Sequence, residues 1–486
     1  MHAVEPEDFR LAKLEELRRL GIDPYGARFP GVQPIAEVRE GFEPDSPKKI
    51  RAAGRITNIR AMGKASFVDI RDRTGSIQLY FQLNKLGEEK FNIHRLLELG
   101  DIVGVEGSLA KTRTEELTVF VEEFVVLSKA LLSPPEKWHG LRDPDARYRR
   151  RCVDLFSNPD VMDCFFKRSH IIEAIREFLR ERGFTEVETP MMQPVAGGAA
   201  ARPFITHHNA FDIDLFLRVA PELYLKRLLV GGMEKVFEIN RNFRNEGIDR
   251  RHNPEFTSLE VYQAYADYTD MMELTESLLR TLATGFEPSG KLPFGEHEID
   301  YASPFRRISY IDAFEEANGF PVDDVPRVRA RARELGIDEQ PLGDELVLDR
   351  VYEQTVEDRI VQPTFVVDYP AALSPLTKPK ADDPRLAQRW DLIIAGMEIG
   401  PAYTELNDPE LQEQKFHQQL KGVDEAEATL RSVDTEFLRA LAYGMPPAGG
   451  LGLGIDRIVM LLANKPSIRE VILFPLLRPE GETPQG

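Results

Sequence analysis

The chain has 486 residues, 42% of them hydrophobic, which predicts two or three domains with buried cores. Its 62 Lys and Arg against 81 Asp and Glu give a net charge of −19, so any contact with nucleic acid has to use a local basic patch. The sequence has two cysteines, Cys152 and Cys164, too few for a disulfide framework. It has neither a signal-like amino terminus nor an apolar run of ~18 residues, which predicts a cytoplasmic protein without a membrane partner.

Residues 1–128 predict one amphipathic helix followed by a small β-barrel. Leucines recur at helical spacing between residues 6 and 20, and Gly21 follows as a stop. Five short runs of β-forming residues lie between Ile50 and Leu127. This number of short strands suits a closed barrel of the OB type. Residues 129–160, rich in Pro, Arg and Asp, are predicted to be a linker to a second domain, 161–486.

The second domain is predicted to begin with a helix and a strand. Apolar residues recur on one side of residues 162–182, and Gly183 provides the helix stop. Residues 184–190 then read as a strand that ends at Pro190. A helix before such a strand is ordinary in α+β proteins, so this pattern gains meaning only from the motifs that follow it.

A hairpin between Val236 and Tyr262 carries the most specific pattern. Strict alternation predicts one strand up to Phe243, and a polar loop returns into a second strand. Period two places Phe256, Glu260 and Tyr262 on one face, beside Arg244 at the end of the first strand. The hairpin then offers charge for a phosphate, a ring for a base and a carboxylate for a substrate. The alternative is a surface Arg–Glu hairpin with a core phenylalanine.

A glycine-rich strand precedes an apolar helix near the carboxyl end. In the run from Gly452 through Gly454 to Arg457, an arginine stands where a dinucleotide-binding loop needs its third glycine. The dinucleotide interpretation therefore fails. An arginine that projects from a helix start toward a phosphate is the better interpretation.

Two acidic residues, Asp391 and Glu398, flank a predicted tight turn at Ala395 and Gly396. Across such a hairpin the two carboxylates approach each other. Carboxylate oxygens near a triphosphate are the usual protein ligands of Mg²⁺. A pair of solvated acids is the alternative.

Together these motifs resemble the class II aminoacyl-tRNA synthetases. The helix and strand before Pro190 resemble motif 1 of that class, Phe243–Glu246 resembles motif 2, and Gly450–Arg457 resembles motif 3. Four further segments are similar to the class II lysyl-tRNA synthetases: 197–204, 220–227, 238–247 and 251–257. The similarity runs from about residue 50 to Pro479, nearly the whole chain.

The resemblance implies a multidomain fold and a reaction. The expected fold is an amino-terminal OB barrel joined to an α+β catalytic domain, which is built on an antiparallel sheet with flanking helices. The expected activity is ATP-dependent conversion of L-lysine to lysyl-adenylate, followed by transfer of lysine to tRNA(Lys). The family also implies Mg²⁺ as cofactor and a homodimer formed through motif 1.

Residue roles follow from the same resemblance. Arg244 and Arg457 are implied as catalytic, on the α- and γ-phosphates of ATP, and Phe256 is implied to stack under adenine. The remaining implied residues are Glu246, His252 and Asn253 for ATP; Gly198, Glu222, Glu260, Tyr262, Tyr403 and Glu405 for lysine; Asp391 and Glu398 for Mg²⁺; and Arg60, Phe67, Gln78 and Glu116 for the anticodon.

The charges of the expected amino-acid pocket favour lysine independently. Glu222, Glu260 and Glu405 supply three carboxylates, and buried acids without cations tend to protonate, so a doubly cationic substrate is the expected partner. Aspartate or asparagine would be repelled. A synthetase of the aspartyl or asparaginyl type, a lysine-transferring enzyme that modifies a protein, and a non-catalytic tRNA-binding protein remain as alternatives. Relatives of the protein-modifying type lack the barrel.

Two positions depart from the pattern of the resembled family, and one residue has a second possible place. Residue 391 is Asp where the resembled family usually has Glu, and residue 401 is Pro where it often has Asn. Proline has no N–H to donate, so one contact to the substrate backbone is lost or replaced. Phe67, taken singly, also fits a place in the barrel core.

Overall fold

The computed structural model describes residues 6–44, 48–134, 141, 143–199, 201–340, 342–419 and 433–479. The chain divides into two compact units, Met1–Asn158 and Pro159–Gly486. Within the described ranges, no helix combines the length and the apolar character needed to cross a bilayer.

Unit one contains the predicted barrel. Its five strands close in the order β1-β2-β3-β5-β4, which confirms the barrel expectation. Alternate residues of β2 and β3 point inward, and Val68, Ile70 and Leu79 are fully buried in the core. The elements are α1 (Asp8–Arg19), α2 (Ile35–Glu40), β1 (Lys49–Met62), β2 (Ala65–Arg71), β3 (Ser76–Gln82), α3 (Leu83–His94), β4 (Ile102–Lys111) and β5 (Leu117–Ser128).

Two short helices occupy much of the segment predicted to be a linker. They are α4 (Pro144–Arg149) and α5 (Arg151–Ser157). The buried Arg151 guanidinium lies 2.7 Å from the Asp154 carboxylate, and Arg147 reaches the same carboxylate at 2.9 Å. These ion pairs order the end of unit one.

Unit two is built on an eight-stranded sheet. Its order is β14-β15-β16-β17-β18-β11-β10-β6, and all neighbours are antiparallel except β14 with β15 and β10 with β6. The strands are β6 (Thr185–Glu186), β10 (Lys235–Phe243), β11 (Glu255–Ala264), β14 (Arg306–Ser309), β15 (Thr364–Val367), β16 (Arg389–Ile394), β17 (Met397–Thr404) and β18 (Ala448–Gly454). This largely antiparallel α+β architecture is the expected one.

Helices and smaller strands surround this sheet. The helices are α6 (Pro159–Glu181), α7 (Glu222–Val230), α8 (Tyr268–Phe286), α9 (Tyr310–Asn318), α10 (Val325–Glu334), α11 (Asp344–Thr355), α12 (Pro409–Gln419), α13 (Thr435–Ala442), α14 (Ile455–Leu462) and α15 (Ile468–Val471). A three-stranded sheet consists of β7 (Met192–Gln193), β8 (Ile205–His208) and β9 (Ile213–Leu217), and β12 (Lys291–Phe294) pairs with β13 (His297–Asp300).

The strand predicted at residues 184–190 is shorter in the structure. Only Thr185 and Glu186 pair with β10, and Val187 adds one hydrogen bond to the Phe237 carbonyl. Beyond that point Thr189 bonds through its side chain to Glu238, and Pro190 has no N–H to extend the ladder.

Candidate active site

The β10–β11 hairpin forms one wall of a large cavity. Asn242 pairs with Phe256 and Glu238 pairs with Glu260 across the two strands. A buried ladder fixes the hairpin: Asn242 donates to the Ser258 hydroxyl at 2.7 Å, and that hydroxyl donates to Asn240 at 3.0 Å. The sequence places these polar groups two residues apart, so they share one face and bond to each other across the strands.

Arg244 stands at the open end of this hairpin, just after β10. Its guanidinium carbon lies 5.1 Å from the centroid of the Phe256 ring. Its Nε is buried and has no hydrogen-bond partner in the described ranges. The residue is half-buried and lines the cavity, so Arg244 provides a place for an anionic ligand next to an aromatic ring.

Arg457 reaches the same cavity from the helix that follows β18, the strand next to β11. Gly454 ends β18, and Arg457 lies in the first turn of α14. Arg457 donates to the main-chain oxygen of Glu398, and its Nη2 lies 3.1 Å from the Nε2 of His252. The helix start adds its own positive potential near this guanidinium, so the arrangement favours an anion.

A cavity of about 790 Å³ collects nearly all predicted residues of the catalytic domain. Its lining includes Gly198, Glu222, Arg244, Glu246, His252, Asn253, Phe256, Glu260, Tyr262, Asp391, Glu398, Tyr403 and Arg457. Pro401 also lines it, opposite Asp391 in the ladder. Glu405 is fully buried behind this lining.

The three predicted carboxylates lie close together, but the chain supplies one of their cations itself. The Lys226 ammonium lies 2.7 Å from Glu222 and 2.5 Å from the Oε2 of Glu405. This corrects the expectation that only a substrate compensates the three acids. In sequence, Glu222 and Lys226 resemble any i,i+4 pair on a helix surface, so the sequence did not predict this buried contact.

Burial controls the protonation of these acids. It raises the pKa of Glu260 to about 8, with Glu222 as the next cause. Tyr262 opposes this shift because its hydroxyl donates a hydrogen bond to Glu260 at 3.1 Å. Burial also raises the pKa of Glu405 to about 8, against the lowering effect of Lys226. Without further cations in the pocket, the raised pKa values favour protonation of these acids.

The turn between β16 and β17 has the predicted tight form. Ala395 and Gly396 form the two-residue turn with positive φ angles of 52° and 70°. Gly396 adopts its angle without strain. Asp391 and Glu398 both face the cavity, and burial raises the pKa of Asp391 against the effect of Arg389. Arg389 donates to both Asp391 oxygens, at 2.8 and 2.7 Å.

Two carboxylates fit a magnesium ion that also takes water and phosphate oxygens. Among the residues that the structure describes, no group of three or more His, Cys, Asp or Glu is placed to hold a metal ion. The donor set of Asp391 and Glu398 thus matches Mg²⁺ bound to a nucleotide rather than an all-protein cage.

The sequence did not point to α11 as part of the cavity. Asp349, Glu353 and Glu357, on α11 and just beyond it, line the cavity. Burial raises the pKa of Asp349 to about 6 and that of Glu357 to about 8, the latter also through Glu398. These acids are spaced as on any charged helix, so only the packing of α11 reveals them.

The barrel carries the predicted anticodon residues outside its core. Arg60, Phe67 and Tyr80 stand side by side in the ladder of β1, β2 and β3. Phe67 is half-buried and stacks on Tyr80 with ring centroids 4.5 Å apart, so the core alternative for Phe67 is wrong. Gln78 accepts a hydrogen bond from Thr118.

Glu116 is exposed in the turn before β5. Its main-chain oxygen accepts the hydroxyl hydrogen bond of Thr118, the residue that also donates to Gln78. The four predicted residues thus belong to one surface of β1, β2, β3 and the β4–β5 turn.

Two family models match the chain. The model of class II tRNA synthetases (D, K and N) matches residues 143–478, and the model of the OB-fold nucleic acid binding domain matches residues 50–127. Fold and site therefore define a class II tRNA synthetase.

Similar proteins cover nearly the entire chain. The lysine–tRNA ligase of Carboxydothermus hydrogenoformans is 50% identical over 97% of both chains. That of Pelotomaculum thermopropionicum is 51% identical over 97% of this chain and 94% of its own. That of Syntrophomonas wolfei is 48% identical over 98% of both. The chain belongs to the lysine–tRNA ligase family of class II tRNA synthetases.

Proposed function

We propose that this protein activates L-lysine with ATP and transfers the lysyl group to tRNA(Lys). One observation carries the choice of reaction: Arg244 over Phe256 and Arg457 at a helix start face one cavity whose wall holds Glu222 and Glu260. In this cavity the guanidinium groups can bind the phosphates of ATP, the aromatic ring can stack on its base, and the carboxylates can bind the ammonium groups of lysine. The similarity to lysine–tRNA ligases supports lysine as the amino acid.

In the first step the lysine carboxylate attacks the α-phosphorus of ATP, and the bond to the β-phosphate oxygen breaks. Lysyl-adenylate and pyrophosphate result. Arg244 holds the α-phosphate and the substrate carboxylate, while Arg457 holds the γ-phosphate. Because no protein nucleophile takes part, the side chains act by positioning and by charge stabilisation.

In the second step a terminal ribose hydroxyl of the tRNA attacks the lysyl carbonyl, and AMP leaves. Phe256 stacks under adenine, and Glu246, His252 and Asn253 line the nucleotide. Glu222, Glu260 and Tyr262 receive the ammonium groups and stem of lysine, together with Gly198 and Tyr403. Glu405 acts from behind the cavity lining.

Mg²⁺ is the proposed cofactor, held by Asp391 and Glu398. When bound, the ion neutralises charge on the phosphates. Arg389 donates to both oxygens of the Asp391 carboxylate, which keeps this carboxylate oriented.

Pyrophosphate exchange with a panel of amino acids tests this function. Lysine should give the highest kcat/KM, with ornithine next because one methylene is worth only ~1–3 kcal/mol. Charging of mixed tRNA should then label a lysine acceptor. Exchange with aspartate or asparagine, or lysine transfer to a protein instead of tRNA, would contradict the proposal.

The barrel surface is proposed to read the anticodon of tRNA(Lys). Arg60 and Gln78 bond to the edge of a base that stacks on Phe67, and Glu116 contacts a neighbouring nucleotide. Tyr80 covers one side of the Phe67 ring, which keeps the ring oriented for stacking.

A Phe67→Ala variant should charge tRNA(Lys) about 5- to 150-fold less efficiently, since base stacking is worth about 1–3 kcal/mol. Lysine-dependent pyrophosphate exchange without tRNA should stay at the wild-type rate. Tyr25→Ala, which removes an exposed aromatic elsewhere in unit one, is the control and should keep normal charging. Equal charging by both variants would remove Phe67 from the anticodon surface.

We further propose a homodimer that uses the small sheet after motif 1. Five large apolar side chains are exposed there: Met191, Met192, Ile205, Phe211 and Ile213. Several exposed large apolar side chains on one small sheet are typical of an interface. The proposed location is the cytoplasm, where tRNA is charged and where the two free cysteines stay reduced.

An Ile205→Glu variant should shift the chain from twice its own mass to the monomer mass in sedimentation at micromolar concentration. A charge buried in an apolar interface has no partner and is strongly unfavourable. Leu132→Glu, a change at an exposed apolar residue of unit one, serves as control and should leave the mass unchanged. A monomeric wild-type chain would contradict the dimer.

A further inference from the structure

Arg168 of helix α6 is a charged residue on an otherwise apolar helix face. Cys164, Ile171 and Ile175 share that face at helical spacing and are buried in the core of unit two. The Arg168 side chain is only 13% exposed. A guanidinium in such a place is costly unless acceptors surround it, so its contacts indicate what it holds together.

The hydrogen bonds of Arg168 reach three other segments of unit two. Its Nη1 donates to the Asp456 carboxylate at 2.5 Å and to the Val471 carbonyl at 3.2 Å, while its Nη2 donates to the Thr257 hydroxyl at 3.0 Å. The Thr257 N–H in turn donates to the other oxygen of Asp456 at 2.7 Å. Arg168, Asp456 and Thr257 therefore form a closed ring in which each residue bonds to the other two.

Asp456 continues the sheet with a side chain. Ser258 pairs with Gly454, where β18 ends, and Thr257 lies just beyond this pairing. The carboxylate of Asp456, in the first turn of α14, accepts the Thr257 N–H in place of a strand carbonyl. This carboxylate is only 3% exposed, and Arg168 supplies the cation that it needs.

The ring joins the neighbours of two proposed ATP ligands. Thr257 follows Phe256 on β11, and Asp456 precedes Arg457 on α14. Because Phe256 is proposed to stack on adenine and Arg457 to bind the γ-phosphate, the distance between them has to match the length of ATP. A shift of the first turn of α14 relative to β11 would change that distance. Arg168 opposes such a shift because it bonds to both elements.

We propose that Arg168 is a positioning residue for ATP, which holds the first turn of α14 and strand β11 at the spacing that the nucleotide requires. This inference rests on the proposed function. Thr257 and Asp456 line the cavity, and Arg168 acts on ATP through them. A merely structural role is the alternative, since breaking any buried ion pair destabilises a protein.

An Arg168→Met variant should bind ATP poorly and lysine normally. Methionine keeps much of the apolar stem but leaves Asp456 buried without its cation, so the first turn of α14 shifts relative to β11. In pyrophosphate exchange we expect the ATP KM to rise and kcat to fall by at least about tenfold each, since a displacement of ~1 Å can cost ~100-fold. The lysine KM should stay within about threefold of wild type, because the proposed lysine ligands lie outside the ring. Calorimetric titration with ATP and Mg²⁺ should show the same loss of ATP affinity.

A Thr257→Val variant tests the ring without breaking the ion pair. Valine keeps the β-branched shape and the N–H bond to Asp456, and only the hydroxyl bond to Arg168 is lost. This variant should fold normally and raise the ATP KM by about three- to tenfold, as expected for one hydrogen bond to a charged group. The double variant Arg168→Met/Thr257→Val should have the ATP KM of Arg168→Met, because the hydroxyl then has no guanidinium to bind. Additive effects would mean that Thr257 acts on ATP without Arg168, which would contradict the ring.

Lys129→Met is the matched control for the loss of a buried ion pair. Lys129 is fully buried and lies 2.7 Å from the buried carboxylate of Asp101, but it belongs to the barrel unit. This variant should lower Tm and leave the KM values of ATP and lysine unchanged.

The inference is wrong if Arg168→Met also lowers only Tm, or if its ATP and lysine KM values rise together. If Arg168→Met does not fold, Thr257→Val decides, and a wild-type ATP KM in that variant overturns the inference. A wild-type protein that binds ATP but shows no lysine-dependent exchange would instead contradict the proposed function. In that case the calorimetric ATP affinities of the variants would still test the role of Arg168.

Discussion

An Arg457→Ala variant should lose at least about a thousandfold in kcat/KM for lysine-dependent pyrophosphate exchange and still fold. Arg457 is the proposed γ-phosphate ligand, at the start of α14. No other side chain of this helix start carries positive charge, since Ile455 is apolar and Asp456 is acidic. Water cannot replace a guanidinium that is fixed beside the phosphates.

The fold should survive because α14 is anchored by apolar residues rather than by Arg457. Ile455, Ile458 and Val459 are fully buried in the main core. The Arg457 side chain is partly exposed; it donates to the Glu398 carbonyl, lies 3.8 Å from the Glu398 carboxylate and contacts His252. Loss of such contacts costs on the order of 1–3 kcal/mol at most.

Comparison with Arg306→Ala makes the result specific. Arg306 is exposed and pairs with Glu316 at 3.0 Å, so its loss should leave exchange and Tm nearly unchanged. Circular dichroism and thermal melting check the fold of both variants. Near-normal exchange by Arg457→Ala would remove this residue from the catalytic site.

The sequence predicts those parts of the molecule that depend on short-range patterns. The barrel strands and the β10–β11 hairpin follow from alternation, and the turn at Ala395 and Gly396 follows from its small residues. Arg244 and Arg457 stand in motifs whose residue types already indicate phosphate. Their meeting in one cavity was expected only through family resemblance.

What the sequence does not predict depends on long-range packing. Lys226 and Glu222 form an ordinary i,i+4 pair, and nothing local indicates that the helix buries both against Glu405. Asp349 and Glu357 likewise resemble solvated acids until α11 places them at the cavity. Burial then raises their pKa values, which local charge patterns alone cannot reveal.

A Gly450→Ala variant should reduce kcat/KM for lysine by at least about a hundredfold, because small displacements of a binding wall have effects of this size. A Cβ atom at residue 450 would lie 2.0 Å from the Oε1 of Glu405 and 2.5 Å from the Tyr262 ring. Both neighbours are buried, so neither can move into solvent. The methyl group must displace the carboxylate, the ring or β18 itself.

Two neighbouring glycines show whether the loss comes from the lysine pocket. A Cβ at Gly452 would lie 3.2 Å from Glu260, so Gly452→Ala should raise the lysine KM less than Gly450→Ala does. A Cβ at Gly449 would meet the Asp267 carbonyl at 2.7 Å, away from the pocket. Gly449→Ala should therefore lower Tm without a selective change in the lysine KM of the folded protein. Steady-state exchange at varied lysine and varied ATP measures these effects. A Gly450→Ala enzyme whose lysine and ATP KM values rise together would indicate a distorted β18 rather than a blocked pocket, because the strand also leads to Arg457.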